Sequence, residues 1–302
     1  TVVASGGTGT LSYTWSNNVL NAANPNIPAG TYSVQVTDGL GCNVFGFVTI
    51  TQPANLIASI SAQHVSCYSG SDGWIAAVPS GGVSPYGFNW TGGSDNDTIY
   101  NLSSGEYAVT ITDQNNCTHV DTVEITEPSQ LSASIQVITP ILCYGFNTGA
   151  LQANASGGTS PYTYYWAGGQ TTQILSGLDI GNSFVTITDA NNCNSVANYN
   201  LTEPAQLQVN IIKNNISCFG YNNGQIALTV TGGTANYSYS WNNDSVTSSV
   251  SNLHAGNYSF TVTDANNCTY TSAATITEPQ DLSISMTSAS PYCNGECNGF
   301  AF

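Results

Sequence analysis

Arginine is absent and lysine occurs once, at Lys213, against 17 acidic residues, so the formal charge is −16. A surface without cations is unsuited to nucleic acid or anionic lipid, both of which are bound through Lys and Arg. No apolar run approaches the roughly 18 residues of a membrane span, so no membrane insertion of this segment is expected. No segment carries the 3.6-residue apolar period of a helix. Residue 1 is Thr and no leader pattern follows. The segment therefore reads as the interior of a longer chain, with targeting information elsewhere. What is present is strand composition. Hydrophobic residues make up 41% of the chain, enough to set it apart from acidic disordered sequences. Val, Ile, Thr, Tyr and Trp fill the runs between Gly and Asn clusters.

Those runs repeat. Trp15, Trp90, Trp166 and Trp241 lie 75, 76 and 75 residues apart. Cys42, Cys117, Cys193 and Cys268 keep the same intervals, as do Pro53, Pro128, Pro204 and Pro279. A second cysteine series, Cys67, Cys143, Cys218 and Cys293, is spaced 76, 75 and 75. Several residue types in one register mark tandem units. The expected domains are a partial repeat at 1–53, repeats at 54–128, 129–204 and 205–279, and a partial repeat at 280–302. The chain starts in the second strand of one unit and stops in the same strand four periods later, as part of a longer fibre would.

Within residues 56–128 the strands are predicted at 56–63, 73–78, 86–90, 98–102, 106–112 and 118–126. Short strands with turn signals every 8–12 residues indicate a β-sandwich. The fold class expected is all-β: immunoglobulin-like or PKD-like sandwiches of about 75 residues, stacked end to end. The Trp of the third strand is expected to fill the space between two sheets. Tyr32, Tyr107 and Tyr258, each two residues after a Gly, resemble the tyrosine corner of immunoglobulin-like domains. In the third copy Phe184 is read at that place, so the hydroxyl is expected to be missing there.

Longer motifs carry a family resemblance. A Cys-x-Gly turn (Cys218-Phe219-Gly220) is followed by a Gly-Gly-Thr-x-Pro-Tyr segment (Gly157 to Tyr162), a Val-Thr-Asp-Ala-Asn-Asn-Cys turn (Val262 to Cys268), and a Thr-Glu-Pro end. The whole chain resembles the SprB-type repeat of Bacteroidota cell-surface adhesins. The resemblance implies extracellular display at the outer membrane, export by the type IX secretion system, and service in adhesion and gliding motility. The implied partners are neighbouring repeats, extracellular polysaccharide or a solid surface, and the secretion and gliding apparatus.

Regularly placed cysteines outside the cytosol usually form disulfides. The candidates are Cys42, Cys67, Cys117, Cys143, Cys193, Cys218, Cys268, Cys293 and Cys297. Two pairings stay open. Pairing within a repeat joins Cys67–Cys117, Cys143–Cys193 and Cys218–Cys268. Pairing between neighbours joins Cys67–Cys193 and Cys143–Cys268. Strands of about nine residues would hold the two turns of one repeat nearly 30 Å apart, against the roughly 7 Å a disulfide allows, which favours the second. Cys42 and Cys293 are expected to lack partners in either scheme, and Cys297 to pair further along.

No catalytic constellation is apparent. His64, His119 and His254 fall at unrelated repeat positions, no Gly-rich phosphate loop precedes a helix, and nothing marks the facing carboxylates of a glycosidase. The chain is therefore not expected to be an enzyme or to need a cofactor. Asp38, Asp113, Asp189 and Asp264 recur in turns, where Asp bonds its own backbone. With Glu127, Glu203 and Glu278 at the linkers they are also the candidates for calcium. Thr98, Thr122 and Ser245 each follow Asp and precede Ile or Val, a pattern resembling the O-glycosylation signal of Bacteroidota exported proteins. The function expected is a stalk segment of a surface adhesin. The alternative is a carbohydrate-binding module using Trp74, Tyr100 or Tyr165.

Overall fold

The computed structural model describes residues 1–290, 294, 295 and 297–301. The described residues form only strands and turns, in two compact units, Thr1–Pro128 and Ser129–Phe302.

The first unit begins with a single three-stranded sheet of β1 (Ser12–Trp15), β2 (Gly30–Thr37) and β3 (Asn43–Ile50). Six strands follow: β4 (Ile57–Gln63), β5 (Gly73–Ser80), β6 (Gly87–Trp90), β7 (Thr98–Leu102), β8 (Gly105–Thr112) and β9 (Thr118–Ile125). They make two antiparallel sheets, ordered β4-β5-β7 and β6-β8-β9. Alternation explains the layering, because successive side chains point to opposite faces. In β8, Val109 and Ile111 are buried while their neighbours are not, and Ile75 and Ala77 do the same in β5. These residues meet Trp90 in one core cluster between the sheets.

The second unit repeats the pattern twice. β10 (Ser132–Thr139), β11 (Gly149–Ser156), β12 (Thr163–Trp166), β13 (Ile174–Leu178), β14 (Gly181–Thr188) and β15 (Asn194–Leu201) form sheets β10-β11-β13 and β12-β14-β15. β16 (Gln208–Asn214), β17 (Gly224–Thr231), β18 (Ser238–Trp241), β19 (Ser249–Leu253), β20 (Gly256–Thr263) and β21 (Thr269–Ile276) form sheets β16-β17-β19 and β18-β20-β21. β22 (Ser288–Ala289) and β23 (Phe300–Ala301) pair beyond them. Each six-strand set has its own core, around Trp166 in one and Trp241 in the other. The strands thus form tandem immunoglobulin-like β-sandwiches.

The recurrent residues have recurrent tasks. Each core Trp donates its indole N–H to the carbonyl six residues on, at Asn21, Asn96, Thr172 and Thr247. A buried indole needs such a partner, and the bond ties the following loop to the core. The Tyr five residues after the first Gly of each Gly-Gly turn (Tyr86, Tyr162, Tyr237) donates to the carbonyl of that glycine, Gly81, Gly157 or Gly232. Those glycines have φ near +70°, and a Cβ on Gly157 would lie 2.0 Å from the Gln130 carbonyl oxygen. Only Gly fits there.

The tyrosine corner is present at Tyr32, Tyr107 and Tyr258, whose hydroxyls donate to the carbonyls four residues back, at Pro28, Ser103 and His254. The reading of Phe184 at the equivalent place is corrected. Val109 opposes Trp90 and Val185 opposes Trp166, so Ser183 is the counterpart of Tyr107. Phe184 lies one residue further and faces the other side of the sheet, 44% exposed. A shift of one residue in a strand reverses the face.

Candidate functional site: the junction between repeats

Within the second unit, Cys143 and Cys268 form a disulfide with a Cα–Cα distance of 5.7 Å. Cys143 sits in the turn between β10 and β11, and Cys268 in the hairpin turn between β20 and β21. The bond therefore joins one sandwich to the next. The Asn266 side-chain amide adds a second tie by donating to the Leu142 carbonyl at 3.1 Å.

Pairing within a repeat is not adopted. Cys117 and Cys218 are free, and Cys268 is bonded to Cys143. The reason is visible in the strand that separates the two turns. The Val65 N–H donates to the Thr126 carbonyl, so the Cys67 turn lies beside the end of β9, whereas Cys117 immediately precedes its start. Eight residues at ~3.3 Å each put about 26 Å between them, far beyond disulfide reach. Cys67 and Cys193 are each engaged in a disulfide. Cys42 and Cys297 carry free, exposed thiols, and Cys293 lies outside the described residues.

Carboxylates hold both cysteine-bearing turns. Asp264 is 4% exposed. Its Oδ1 accepts the N–H groups of Asn266 and Cys268 at 2.8 and 2.9 Å, and its Oδ2 accepts that of Thr234 at 2.8 Å. Asp113 does the same with Asn115, Cys117 and Val83, and Asp189 with Asn191, Cys193 and Thr159. In all three, burial works against the charge, but the converging N–H groups outweigh it and hold the pKa below the ordinary 3.8. Asp38 is likewise lowered, chiefly by the N–H of Thr8 and then that of Cys42. On the other turn, Glu203 accepts the Gly145 N–H at 2.6 Å, two residues after Cys143. Glu127 and Glu278 accept from Ser69 and Gly220 in the same relation to Cys67 and Cys218. Gln52 stands at that position in the first copy.

The Asp residues were legible as turn formers that bond their own backbone, as they do here, but the bonds of the Glu residues to the other cysteine turn were not. The usable signal was spacing: each Asp precedes its cysteine by four residues, and each Glu follows the other cysteine by 60. Among the described residues no three His, Cys, Asp or Glu side chains converge as metal ligands. His64 accepts the Thr126 N–H through Nδ1, and His119 lies 3.8 Å from Asp121. Of the O-glycosylation candidates, Thr122 is exposed on β9, while Thr98 and Ser245 are half-buried. Trp74 and Tyr100 are brought together on one sheet, whereas Tyr165 is on β12 of another sandwich.

A cleft of about 360 Å³ opens beside the disulfide. Tyr144 and Phe146 form one wall, Pro204 to Leu207 the linker side, and Asp264 and Tyr270 the other. Three segments spanning the first cysteine turn and the core Trp of successive units, 59–95, 135–171 and 210–246, match the SprB repeat. The chain carries SprB repeats. The matched portions hold the first of the two cysteine turns, and the second turn follows each of them.

No curated protein matches the sequence. Among solved structures, the C-terminal 282-residue fragment of intimin, in complex with the translocated intimin receptor's intimin-binding domain, is 15% identical at a TM-score of 0.30, over 53% of this chain and 67% of that one. The N-terminal eight Ig domains of Down syndrome cell adhesion molecule are 8% identical at 0.28, over 89% and 56%. The complex of Dpr2 Ig1–Ig2 with DIP-Theta Ig1–Ig3 gives 9% and 0.29, over 73% and 98%.

Proposed function

We propose that these SprB repeats are a non-catalytic stalk segment of a cell-surface adhesin, in which each repeat adds length and the disulfide fixes one repeat to the next. The observation that carries the reading is the Cys143–Cys268 bond, set between turns that Glu203 and Asp264 hold in place. A sandwich of about 75 residues buries little surface and is marginal by itself, so a covalent tie to its neighbour offsets that weakness. Disulfides of this kind persist outside the reducing cytosol, which supports an extracellular place. The SprB likeness extends the reading to display at the outer membrane, export by the type IX system and a part in gliding, with polysaccharide or a solid surface as the adhesive target. O-linked glycans at Thr98, Thr122 and Ser245 belong to the same proposal.

The test is topological. An antibody against residues 129–279 should label intact, unpermeabilised cells that carry the protein, and external protease should strip the signal. Labelling that appears only after permeabilisation would overturn the surface assignment.

A further inference from the structure

Four of the five tryptophans are buried core residues that open no surface. Trp74 is different. It lies on β5 with its side chain on the outer face of the β4-β5-β7 sheet, opposite to the buried Ile75. Its cross-strand partners are Gln63 on β4 and Tyr100 on β7, so Gln63, Trp74 and Tyr100 form one row across three strands. Strands ~4.8 Å apart make that row about 10 Å long. The indole N–H donates to Gln63 Oε1 at 2.9 Å, which pins the ring and leaves the Gln63 amide NH₂ to donate outward. Tyr100 is 65% exposed. Directly opposite residues stand close enough for their rings to lie side by side.

The adjoining row is Ser61, Ala76 and Thr98, followed by Ser59 and Val78. An aromatic ridge thus borders a floor of short side chains with hydroxyls, and none of these residues is charged. The equivalent row in the second unit is Thr139, Ala150 and Ser176 in one repeat, and Asn214 with Gln225 in the next. The ridge is a property of one repeat and not of the fold, which makes a purely structural reason for it hard to sustain. Tyr100 is exposed and Trp74 half-buried, neither belongs to the core cluster, and exposed aromatic surface costs solubility.

We propose that the Gln63-Trp74-Tyr100 row is a binding platform for a neutral polysaccharide. The C–H faces of hexose rings stack on the two aromatics, while ring hydroxyls meet the Gln63 amide and the hydroxyl of Ser61. The uncharged rows and the −16 formal charge of the chain select against acidic glycans. The inference does not rest on the stalk reading, since none of these residues touches the cysteine turns or their carboxylates.

The experiment is a tryptophan fluorescence titration of the whole chain with cellohexaose, laminarihexaose and chitohexaose in turn, with alginate oligomers as the acidic comparison. Because Trp74 is the one tryptophan outside the cores, the signal reports on the platform. At least one neutral oligosaccharide should give a saturable change. Trp74→Ala should abolish the response, and Tyr100→Ala should weaken binding by about tenfold, as loss of a stacking ring does in other aromatic platforms. Thermal melts should show both variants folded, and calorimetric titration keeps Trp74→Ala informative without its fluorophore. Absence of a saturable response to all three at millimolar concentration would overturn the proposal. So would affinity unchanged in Tyr100→Ala, or alginate binding as tight as the neutral glycans.

Discussion

Tension applied along the chain should bypass the cores of the two sandwiches in the second unit. Force entering through β10 reaches Cys143, crosses the disulfide to Cys268, and leaves through β21. The 124 residues between the cysteines (268 − 143 − 1) carry no load while the bond is intact. At ~3.3–3.6 Å per extended residue, they represent about 400–450 Å of hidden contour length. The perturbation is reduction of a chain that keeps Cys143 and Cys268 and has serine at its other seven cysteines. The assay is single-molecule stretching between the two termini, with and without reductant. The oxidised chain should extend to a total shorter by that hidden length, and reductant should release it. The same linkage slows thermal loss of either sandwich. If one unfolds while its neighbour stays folded, the chain from linker to cysteine is a closed loop of about 64 residues, worth about 4 kcal/mol in the chain-entropy picture. Equal contour lengths in the two conditions would refute the load path.

Other expectations follow from single residues. Trp166→Ala should cost about 3–5 kcal/mol in the sandwich it centres, and melting followed by hydrogen exchange should show the Trp241 core much less affected. Ser183→Tyr should supply the missing corner hydroxyl, aimed at the Asp179 carbonyl by analogy with Tyr107 and Ser103, and raise stability by about 0.5–1.5 kcal/mol. Acid should loosen the hairpin turns late. The pKa values of Asp113, Asp189 and Asp264 are depressed in the folded protein, so their contribution is complete above the ordinary 3.8 and is lost as pH falls through the lower folded values. Carboxyl-carbon NMR titration checks the direction, and a turn that loosens between pH 5 and 7 would contradict it.

Strand positions and repeat length were readable because the pattern recurs: alternating apolar residues, one recurrent Trp per unit and Gly-rich turns leave little room for another register. The sandwich core around Trp90 follows from alternation alone. The disulfide needed one more step, since spacing leaves two pairings and only the length of β9 between the turns separates them. The third tyrosine corner was misplaced because Phe184 offered the nearest aromatic, and aromatic character hid the period-two rule that selects Ser183. The turn-forming role of Asp113, Asp189 and Asp264 was readable, and each does accept the N–H groups two and four residues on. The reach of Glu203 to the Gly145 N–H, 58 positions away, was not, because a backbone donor leaves no mark in a sequence. Trp74 and Tyr100 were readable as candidate carbohydrate contacts, but their alignment with Gln63 in one row was not, because the three become neighbours only through strand pairing.

The most direct test of the central claim is peptide mapping of the purified chain under non-reducing conditions, with thiols blocked before digestion. The account predicts a cross-linked peptide pair containing Cys143 and Cys268, with Cys117 and Cys218 recovered as blocked thiols. Recovery of Cys143 linked to Cys193, or of Cys218 linked to Cys268, would contradict it.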